Sequence, residues 1–209
     1  MDRKRTSTRS QSFGEQGLTL LDRLGNWLSK RAISKHLPKA PHPYVLDLGC
    51  GYGALLLKNI SRSIACTAHA VDLRLDPALS EEFGFKATEG AIPEVLSRLP
   101  GESVDLLLLI SVLEHLEFPL AVLQECQRVL KPEGKMLINV PTWRGRWFLE
   151  LAAFKLGLCP AEEIEDHKTY YEISSLWPLL VEARFKPSRL EVKRIKFGLT
   201  IFAVAQKSQ

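Results

Sequence analysis

Short apolar segments alternate with amphipathic segments through the central part of this 209-residue chain. The segment VDLLLLI at 104–110 is apolar at almost every position, and YVLDLG at 44–49 and KMLINVP at 135–141 are similar. Strands that are apolar on both faces, with single helices between them, are typical of a parallel sheet covered by helices on both sides. The pattern therefore predicts a doubly wound α/β fold.

The strands and helices can be assigned from the apolar periodicity. The predicted strands are 44–49, 66–73, 85–90, 104–110 and 135–141, and the predicted helices between them are 54–61, 77–84, 91–99 and 119–130. The turn KPEG at 131–134 is expected to separate the last of these helices from the fifth strand. Beyond the fifth strand, 143–158 and 172–184 are predicted as helices, and 189–206 as a β-hairpin around Phe197-Gly198.

The chain is long enough for one substantial core, so a single domain is predicted over 17–209. The basic residues 1–16 are expected to form a flexible tail, 18–33 an amphipathic helix, and about 143–172 a helical insertion. No apolar run approaches the roughly 18 residues of a membrane span. The four cysteines are widely spaced, which indicates neither a disulfide framework nor a zinc site. A cytoplasmic protein without a metal is expected.

A glycine-rich turn follows the first predicted strand in VLDLGCGYG at 45–53. Ligands of open α/β sheets bind at the carboxyl ends of the strands, and Gly49, Gly51 and Gly53 would let the backbone approach such a ligand closely. Their spacing satisfies both GxGxG and the dinucleotide pattern GxGxxG/A. The glycines alone therefore leave open a nicotinamide dinucleotide and S-adenosylmethionine.

Acidic residues at the strand ends favour S-adenosylmethionine. Asp47 would repel a pyrophosphate but attract the ammonium and sulfonium groups of S-adenosylmethionine, although it could instead only cap backbone N–H groups of the turn. Asp72 ends the second strand, where a carboxylate can accept hydrogen bonds from both hydroxyls of a ribose. Glu89 follows the third strand and could approach an adenine edge, as could the backbone of Gly90 and Ala91.

Four ordered motifs carry a resemblance to a known family: VLDLGCGYG, AVDL, VDLLLLISVLEHL and QRVLKPEGKMLINVP. Together they resemble class I S-adenosylmethionine-dependent methyltransferases of the small-molecule type, over about residues 40–142. The later segment 156–185 also resembles the C-terminal part of some bacterial members. The resemblance implies a Rossmann-like, seven-stranded, mostly parallel sheet with an antiparallel last strand, helices on both faces, and S-adenosylhomocysteine as the product of the cofactor.

The resemblance also implies a cofactor site. It places Asp47, Gly49, Gly51 and Gly53 at the methionine end, Asp72 at the ribose, and Ile110 and Ser111 facing the site after the fourth strand. The predicted cofactor-binding set also includes Cys50, Leu73 and Glu89. The segment between Glu89 and Asp105 is longer than the family pattern. ISVLEH stands where enzymes that methylate nucleic-acid amino groups have a proline-rich, aromatic-ended motif, so a nucleic-acid acceptor is not expected.

Methyl transfer is a displacement in which positioning dominates, and a hydroxyl or amine acceptor also needs a base that removes its proton. His115, beside Glu114, is the candidate base, and local packing is the alternative role for it. His167, Tyr170 and Tyr171 in the polar segment DHKTYYE are predicted on the substrate side, where packing is again the alternative. The acidic residues at 162–166 are expected to be solvated.

The acceptor is expected to be a small molecule, a lipid headgroup or a sugar, methylated on oxygen or nitrogen. The Trp-rich segment 143–158 could cap an apolar acceptor, lie on a membrane surface or pack in the core. Two other functions remain open at this point. One is a nicotinamide-dependent oxidoreductase, and the other is a protein that binds the cofactor without catalysis.

Overall fold

The computed structural model describes residues 29–145 and 168–209. In this part of the chain, seven strands form one sheet in the order β3-β2-β1-β4-β5-β7-β6. The first five strands pair in parallel, and β7 runs antiparallel to both of its neighbours. The predicted fold is therefore confirmed. The strands are β1 Tyr44–Leu48, β2 Thr67–Asp72, β3 Lys86–Glu89, β4 Val104–Ile110, β5 Leu130–Pro141, β6 Leu190–Ile195 and β7 Thr200–Gln206.

Helices connect the strands on both faces of the sheet. They are α1 Leu55–Ser61, α2 Ala78–Glu81, α3 Ile92–Arg98, α4 Pro119–Val129 and α5 Ile173–Glu182. Residues 29–33 are helical, as predicted, and continue into a 3-10 turn at Ser34–His36. The predictions for the basic tail, for most of the amphipathic helix and for 146–167 of the helical insertion lie outside the described residues.

Alternate residues of the central strands enter two hydrophobic clusters, one on each face. Leu46 of β1 and Leu107 of β4 belong to the cluster that packs against α3, α4 and α5. Val45 and Leu106, their neighbours in sequence, belong to the cluster under α1, α2 and residues 29–33. We call the second side the α1 face. A parallel sheet covered on both faces explains why these strands are apolar at almost every position.

The fifth strand differs from its prediction at KPEG. Leu130 already pairs with Val104, and the next pair is Lys135 with Leu106, so residues 131–134 bulge from the strand. Glu133 has φ +63°, as an extra residue in a bulge can require. The turn that was predicted to precede β5 is therefore a bulge within β5, because the long-range pairing at Leu130 starts the strand earlier.

A buried polar network joins the first three strands on the face that packs against α3, α4 and α5. The Tyr44 hydroxyl lies 2.8 Å from His69 Nδ1, and His69 Nε2 lies 2.8 Å from the Thr88 hydroxyl. Burial, followed by the charge of Lys86, lowers the pKa of His69 to about 4. The imidazole is therefore neutral near pH 7 and acts as a structural bridge between β1, β2 and β3.

The segments that carry the predicted cofactor site lie together at the carboxyl edge of the sheet. The strand order reverses direction between β1 and β4, which is where open α/β sheets bind their ligands. The turn after β1, the end of β2 and the 3-10 turn Leu113–His115 after β4 all lie at this edge. Because β7 is antiparallel, the hairpin turn Lys196–Gly198 lies there too, and this hairpin was predicted.

Candidate cofactor site

The glycine-rich turn after β1 is held against β2 and packed under the segment after β4. The N–H groups of Gly49 and Cys50 donate to the carbonyl oxygen of Val71 at 2.8 and 3.2 Å. Gly49 has φ +70°, and a Cβ added there would lie 2.5 Å from Cγ2 of Val112. Both its conformation and its packing therefore require glycine.

The remaining glycines leave room beside the turn. Gly51 has φ +75°, a conformation in which residues with a side chain are strained. A Cβ added at Gly53 would meet no atom of the described chain within 4 Å. The backbone at Gly53 therefore faces open space, as a turn that receives a ligand should.

Asp72 at the end of β2 orients this turn. Its Oδ2 accepts the Gly51 N–H at 2.7 Å, and its Oδ1 accepts the Leu73 N–H at 2.7 Å. A carboxylate oxygen has two lone pairs, so it can accept more than one hydrogen bond. The ribose contacts of Asp72 and Leu73 stay predictions, but the carboxylate lies directly beside the glycine turn.

Asp47 is a buried carboxyl group at the end of β1. Its side chain is 2% exposed, and Oδ2 has no hydrogen-bond partner among residues 29–145 and 168–209. Burial, followed by the negative charge of Asp72, raises the pKa of Asp47 to about 7. A buried carboxylate without a partner is costly, and a cationic ligand would supply the missing charge.

Cys50 lies in the glycine turn and is influenced by the carboxyl groups of Asp47 and Asp72. Its thiol donates to the Gly51 carbonyl oxygen at 3.3 Å. Burial, followed by the charges of Asp47 and Asp72, raises the pKa of the thiol well above its ordinary value. Cys50 is therefore a neutral thiol that supports the turn.

The loops after β2 and β3 are joined near the predicted adenine region. Oε1 of Glu89 accepts the Leu75 N–H at 2.7 Å, and the Gly90 N–H donates to the Asp72 carbonyl oxygen at 2.9 Å. Leu73 is exposed beside them. The described contacts of Glu89 are thus structural, and its adenine contact stays a prediction.

The end of β4 lies next to β5. Ile110 is half-buried on the α1 face, and Ser111 is exposed with φ +57°. The Ser111 N–H donates to the Asn139 carbonyl oxygen at 2.8 Å. Both predicted residues therefore lie at the carboxyl edge.

The LEH turn receives the segment that was predicted on the substrate side. The Glu114 carbonyl oxygen accepts the N–H groups of Lys168 and Thr169 at 2.9 and 3.3 Å. His115 ends the turn and is half-buried. The fold thus brings the candidate base and the beginning of the predicted substrate segment to the same corner of the sheet.

The two tyrosines of that segment differ in position. Tyr171 is 4% exposed, its hydroxyl donates to the Leu113 carbonyl oxygen at 3.4 Å, and burial followed by the charge of Glu114 raises its pKa to about 12. This core position favours packing, the alternative role, and the substrate role of Tyr171 stays a prediction. Tyr170 is half-buried, and its ring centroid lies 5.2 Å from that of Trp143, so its substrate role stays a prediction. His167 lies outside the described residues.

Sequence reasoning missed three polar residues near the ends of β5 and β7. Asn139 interrupts an apolar strand and is 2% exposed, and Thr200 begins β7. Thr142 donates its hydroxyl to the carbonyl oxygens of Gly198 and Leu199 at 2.9 and 3.1 Å, which holds the hairpin turn against β5. The polar residue inside KMLINVP was the one available signal, since the other contacts depend on long-range pairing.

No group of three or more histidine, cysteine or acidic side chains arranged to hold a metal ion occurs within 29–145 and 168–209. In the same ranges, no helix has the length and apolar character needed to cross a bilayer.

Known proteins share this architecture and sequence pattern. Residues 18–186 match a family model described as a methyltransferase domain. A ubiquinone biosynthesis O-methyltransferase from Xylella fastidiosa (strain 9a5c) is 30% identical over 141 residues, which are 63% of this chain and 52% of that protein. The chain thus spans about half the length of the curated relatives it matches.

Two solved structures share the fold. A SAM-dependent methyltransferase from Archaeoglobus fulgidus has a TM-score of 0.64 and 16% identity, over 87% of this chain and 94% of that chain. Phosphoethanolamine N-methyltransferase 2 of Haemonchus contortus, solved with S-adenosyl-L-methionine, has a TM-score of 0.66 and 16% identity, over 88% and 53%. Because the family model matches well over half of the chain, the chain belongs to the class I S-adenosylmethionine-dependent methyltransferases.

Proposed function

We propose that this protein transfers the methyl group of S-adenosylmethionine to an oxygen atom of a small hydroxylated acceptor. The observation that supports this most is the buried carboxyl group of Asp47, which has no hydrogen-bond partner for Oδ2 in the described chain and lies next to the glycine turn. S-adenosylmethionine carries an ammonium and a sulfonium, whereas a dinucleotide would bring a pyrophosphate to the same carboxylate. The curated relatives are named as O-methyltransferases, which favours oxygen as the methylated atom.

The residues of the site fit this cofactor, and each is proposed to interact with a different part of it. When bound, S-adenosylmethionine supplies a methyl group on a positively charged sulfur that leaves as a neutral thioether. Asp47 compensates the positive charge, and Asp72 holds the turn through its hydrogen bonds to Gly51 and Leu73 and is the proposed partner of the ribose hydroxyl groups.

His115 is the proposed base that removes the proton of the acceptor hydroxyl. It lies just after β4, at the carboxyl edge, and an unperturbed histidine titrates in the range where such a base is effective. His115→Gln should lower kcat and leave S-adenosylhomocysteine binding unchanged. An unchanged kcat and an unchanged pH–rate profile would remove His115 from this role.

Calorimetry distinguishes the proposed function from an oxidoreductase. We expect S-adenosylhomocysteine to bind and NAD to give no heat of binding. Gly51→Ala should weaken the binding of S-adenosylhomocysteine because the φ of Gly51 is +75°. Gly101→Ala is the control and should not weaken it. Gly101 lies in an exposed turn at the opposite edge, where an added Cβ makes ordinary contacts. Binding of NAD in place of S-adenosylhomocysteine would refute the proposal.

Methyl transfer distinguishes an enzyme from a protein that only binds the cofactor. S-adenosylmethionine with a labelled methyl group should label a hydroxylated acceptor in a cell extract. Cofactor binding without labelling of any acceptor would support the non-catalytic alternative.

We also propose that the carboxyl edge contacts a membrane surface from which the hydroxylated acceptor can enter. Phe118, Trp143 and Phe197 follow β4, β5 and β6, and they are 70%, 52% and 100% exposed. Aromatic side chains at one edge suit the interface between water and lipid. Phe197→Ser should reduce co-sedimentation with vesicles of anionic phospholipid, and Val181→Ser, near the start of β6 at the opposite edge, is the matched control. Equal sedimentation of both variants and the unmodified protein would refute the contact.

A cytoplasmic location is proposed on the state of the cysteines. The three cysteines in the described ranges, Cys50, Cys66 and Cys126, are free thiols, which suits a reducing compartment. Cell fractionation tests this proposal, and recovery of the protein outside the cytoplasmic and membrane-associated fractions would refute it.

A further inference from the structure

Two buried oxygen atoms lack hydrogen-bond partners near the ends of β5 and β7. They are Asn139 Oδ1 and Thr200 Oγ1, and neither finds a partner in the chain over 29–145 and 168–209. The whole side chain of Asn139 is 2% exposed. The large majority of buried polar atoms in native proteins are paired, because leaving one unpaired costs free energy. Two such atoms close together therefore need an explanation.

The sheet register brings the two residues to one corner of one face. Asn139 pairs with Ile110 of β4 and with Phe202 of β7, so these three side chains lie on the α1 face. Thr200 is two residues from Phe202 and shares that face. Diagonal neighbours of this kind have Cα atoms about 7–8 Å apart. Both oxygen atoms thus lie at the carboxyl edge, on the side of the sheet that carries Asp47.

A cationic group lies at the rim of the same corner. Lys196, in the turn that leads into β7, donates from Nζ to the Ser29 hydroxyl at 3.1 Å, and Ser29 is buried. Because burial limits the solvation of its ammonium, the pKa of Lys196 is lowered to about 8. Residues 29–36 cover this corner, because the His36 ring lies 5.8 Å from that of Phe202. The corner is therefore enclosed, polar and bordered by a positive charge.

We infer that Asn139 and Thr200 form a subsite that binds a hydroxyl group of the methyl acceptor. The inference rests on the proposed function and assigns the acceptor its chemical class. Asn139 Oδ1 can only accept a hydrogen bond, and the Thr200 hydroxyl can donate or accept, so one acceptor hydroxyl can pair with both. An acceptor that carries an ammonium would be repelled by Lys196. The subsite thus selects a neutral or anionic hydroxylated molecule and orients it at the strand ends beside the cofactor turn.

Apolar substitutions of similar size test this subsite. The probe is catechol, 1,2-dihydroxybenzene, titrated by calorimetry into the protein loaded with S-adenosylhomocysteine. Asn139→Leu and Thr200→Val should each raise the catechol Kd about 2- to 12-fold, which corresponds to one lost hydrogen bond. The Kd of S-adenosylhomocysteine should not change. Benzylamine, a cation at pH 7, should bind more weakly than catechol.

Thermal unfolding distinguishes a binding role from a structural one. Removing a buried oxygen that has no partner should leave Tm unchanged or raise it in both variants. Thr88→Val is the matched control: it removes a hydroxyl that pairs with His69, so it should lower Tm and leave the catechol Kd unchanged.

The outcomes separate this inference from the proposed function. Absence of S-adenosylhomocysteine binding would refute the proposed function itself. If S-adenosylhomocysteine binds, the inference is overturned by a catechol Kd that neither variant changes, by the absence of catechol binding, or by tighter binding of benzylamine. A fall in Tm in both variants as large as that of Thr88→Val would also overturn it, because the two side chains would then serve the fold.

Discussion

Asp47→Asn should stabilise the free protein and weaken its binding of the cofactor. Burial, followed by the charge of Asp72, raises the pKa of Asp47 from 3.8 to about 7 in the folded state. Between these two pH values, the folded protein holds a proton that the unfolded chain has lost. The contribution of Asp47 to stability therefore falls as the pH rises from about 4 through 7. Asparagine does not titrate, so the variant avoids this loss.

The size of the effect follows from the shift. Each pKa unit corresponds to about 1.4 kcal/mol, so a shift of about three units gives a gain on the order of 4 kcal/mol at pH 8.5. At pH 5, where the unfolded chain has lost most of its proton and the folded protein keeps its own, the gain is about 2 kcal/mol. The difference in stability between variant and unmodified protein should thus more than double between pH 5 and pH 8.5.

Urea unfolding at pH 5, 7 and 8.5 measures this difference without ligand. Asp105→Asn is the control, because Asp105 accepts the Tyr44 N–H at 2.8 Å and pairs with Lys131 at 2.7 Å, so its loss should destabilise the protein. A variant at position 47 that is less stable than the unmodified protein at pH 8.5, or a difference that does not change with pH, would refute the reasoning.

Cofactor binding gives the second half of this prediction. The cationic cofactor favours the charged form of Asp47, so its affinity for the unmodified protein should increase as the pH rises through about 7. Asp47→Asn should bind more weakly at pH 8 and lose that pH dependence. Isothermal titration at pH 6 and 8 measures both effects, and equal affinities of the two proteins at pH 8 would contradict the assignment.

Three further outcomes are expected. Asp72→Ala should weaken S-adenosylhomocysteine binding by about 2–4 kcal/mol, because the ribose contacts and the hydrogen bond that orients Gly51 are both lost; calorimetry measures this, and an unchanged Kd would contradict it. Gly49→Ala should destabilise the protein by about 1–3 kcal/mol through its positive φ and its contact with Val112, and a normal urea midpoint would count against that packing. His69 has a lowered pKa in the folded state, so the free energy of unfolding of the unmodified protein should fall by up to about 3 kcal/mol as the pH falls from 6.5 to 4. His69→Gln should not show this loss, and parallel pH profiles of the two proteins in urea unfolding would disprove the explanation.

Local patterns were sufficient to predict the central sheet and the glycine turn. The strands that carry Leu46 and Leu107 are apolar on both sides because helices cover both faces, and that property is visible in the sequence. Asp47 and Asp72 could be singled out as candidates because the chemistry of the cofactor favours carboxylates at strand ends. The antiparallel β7 came from the family resemblance together with the alternating pattern of the hairpin.

Features that depend on long-range pairing could not be predicted. The bulge in β5 exists because Leu130 pairs with Val104, which no local pattern at KPEG indicates. Asn139 and Thr200 share a corner only through the register between β5 and β7, which are far apart in the chain. Tyr171 lies in a polar segment, yet its ring packs in the core because the segment docks on the LEH turn.

The position of β7 has a consequence for how the chain folds. β7 follows β6 in sequence but lies between β5 and β6 in the sheet, and β6 pairs with no other strand in the described residues. During synthesis, β6 therefore emerges from the ribosome before β7, its partner strand. Until β7 has formed, the edge of β5 that pairs with it has no hydrogen-bond partners. We expect β7 to pair between β5 and β6 after both have been synthesised. The part of the carboxyl edge at β5 and β7, where the acceptor is proposed to bind, should therefore form later than the part at β1 and β2, where the cofactor is proposed to bind.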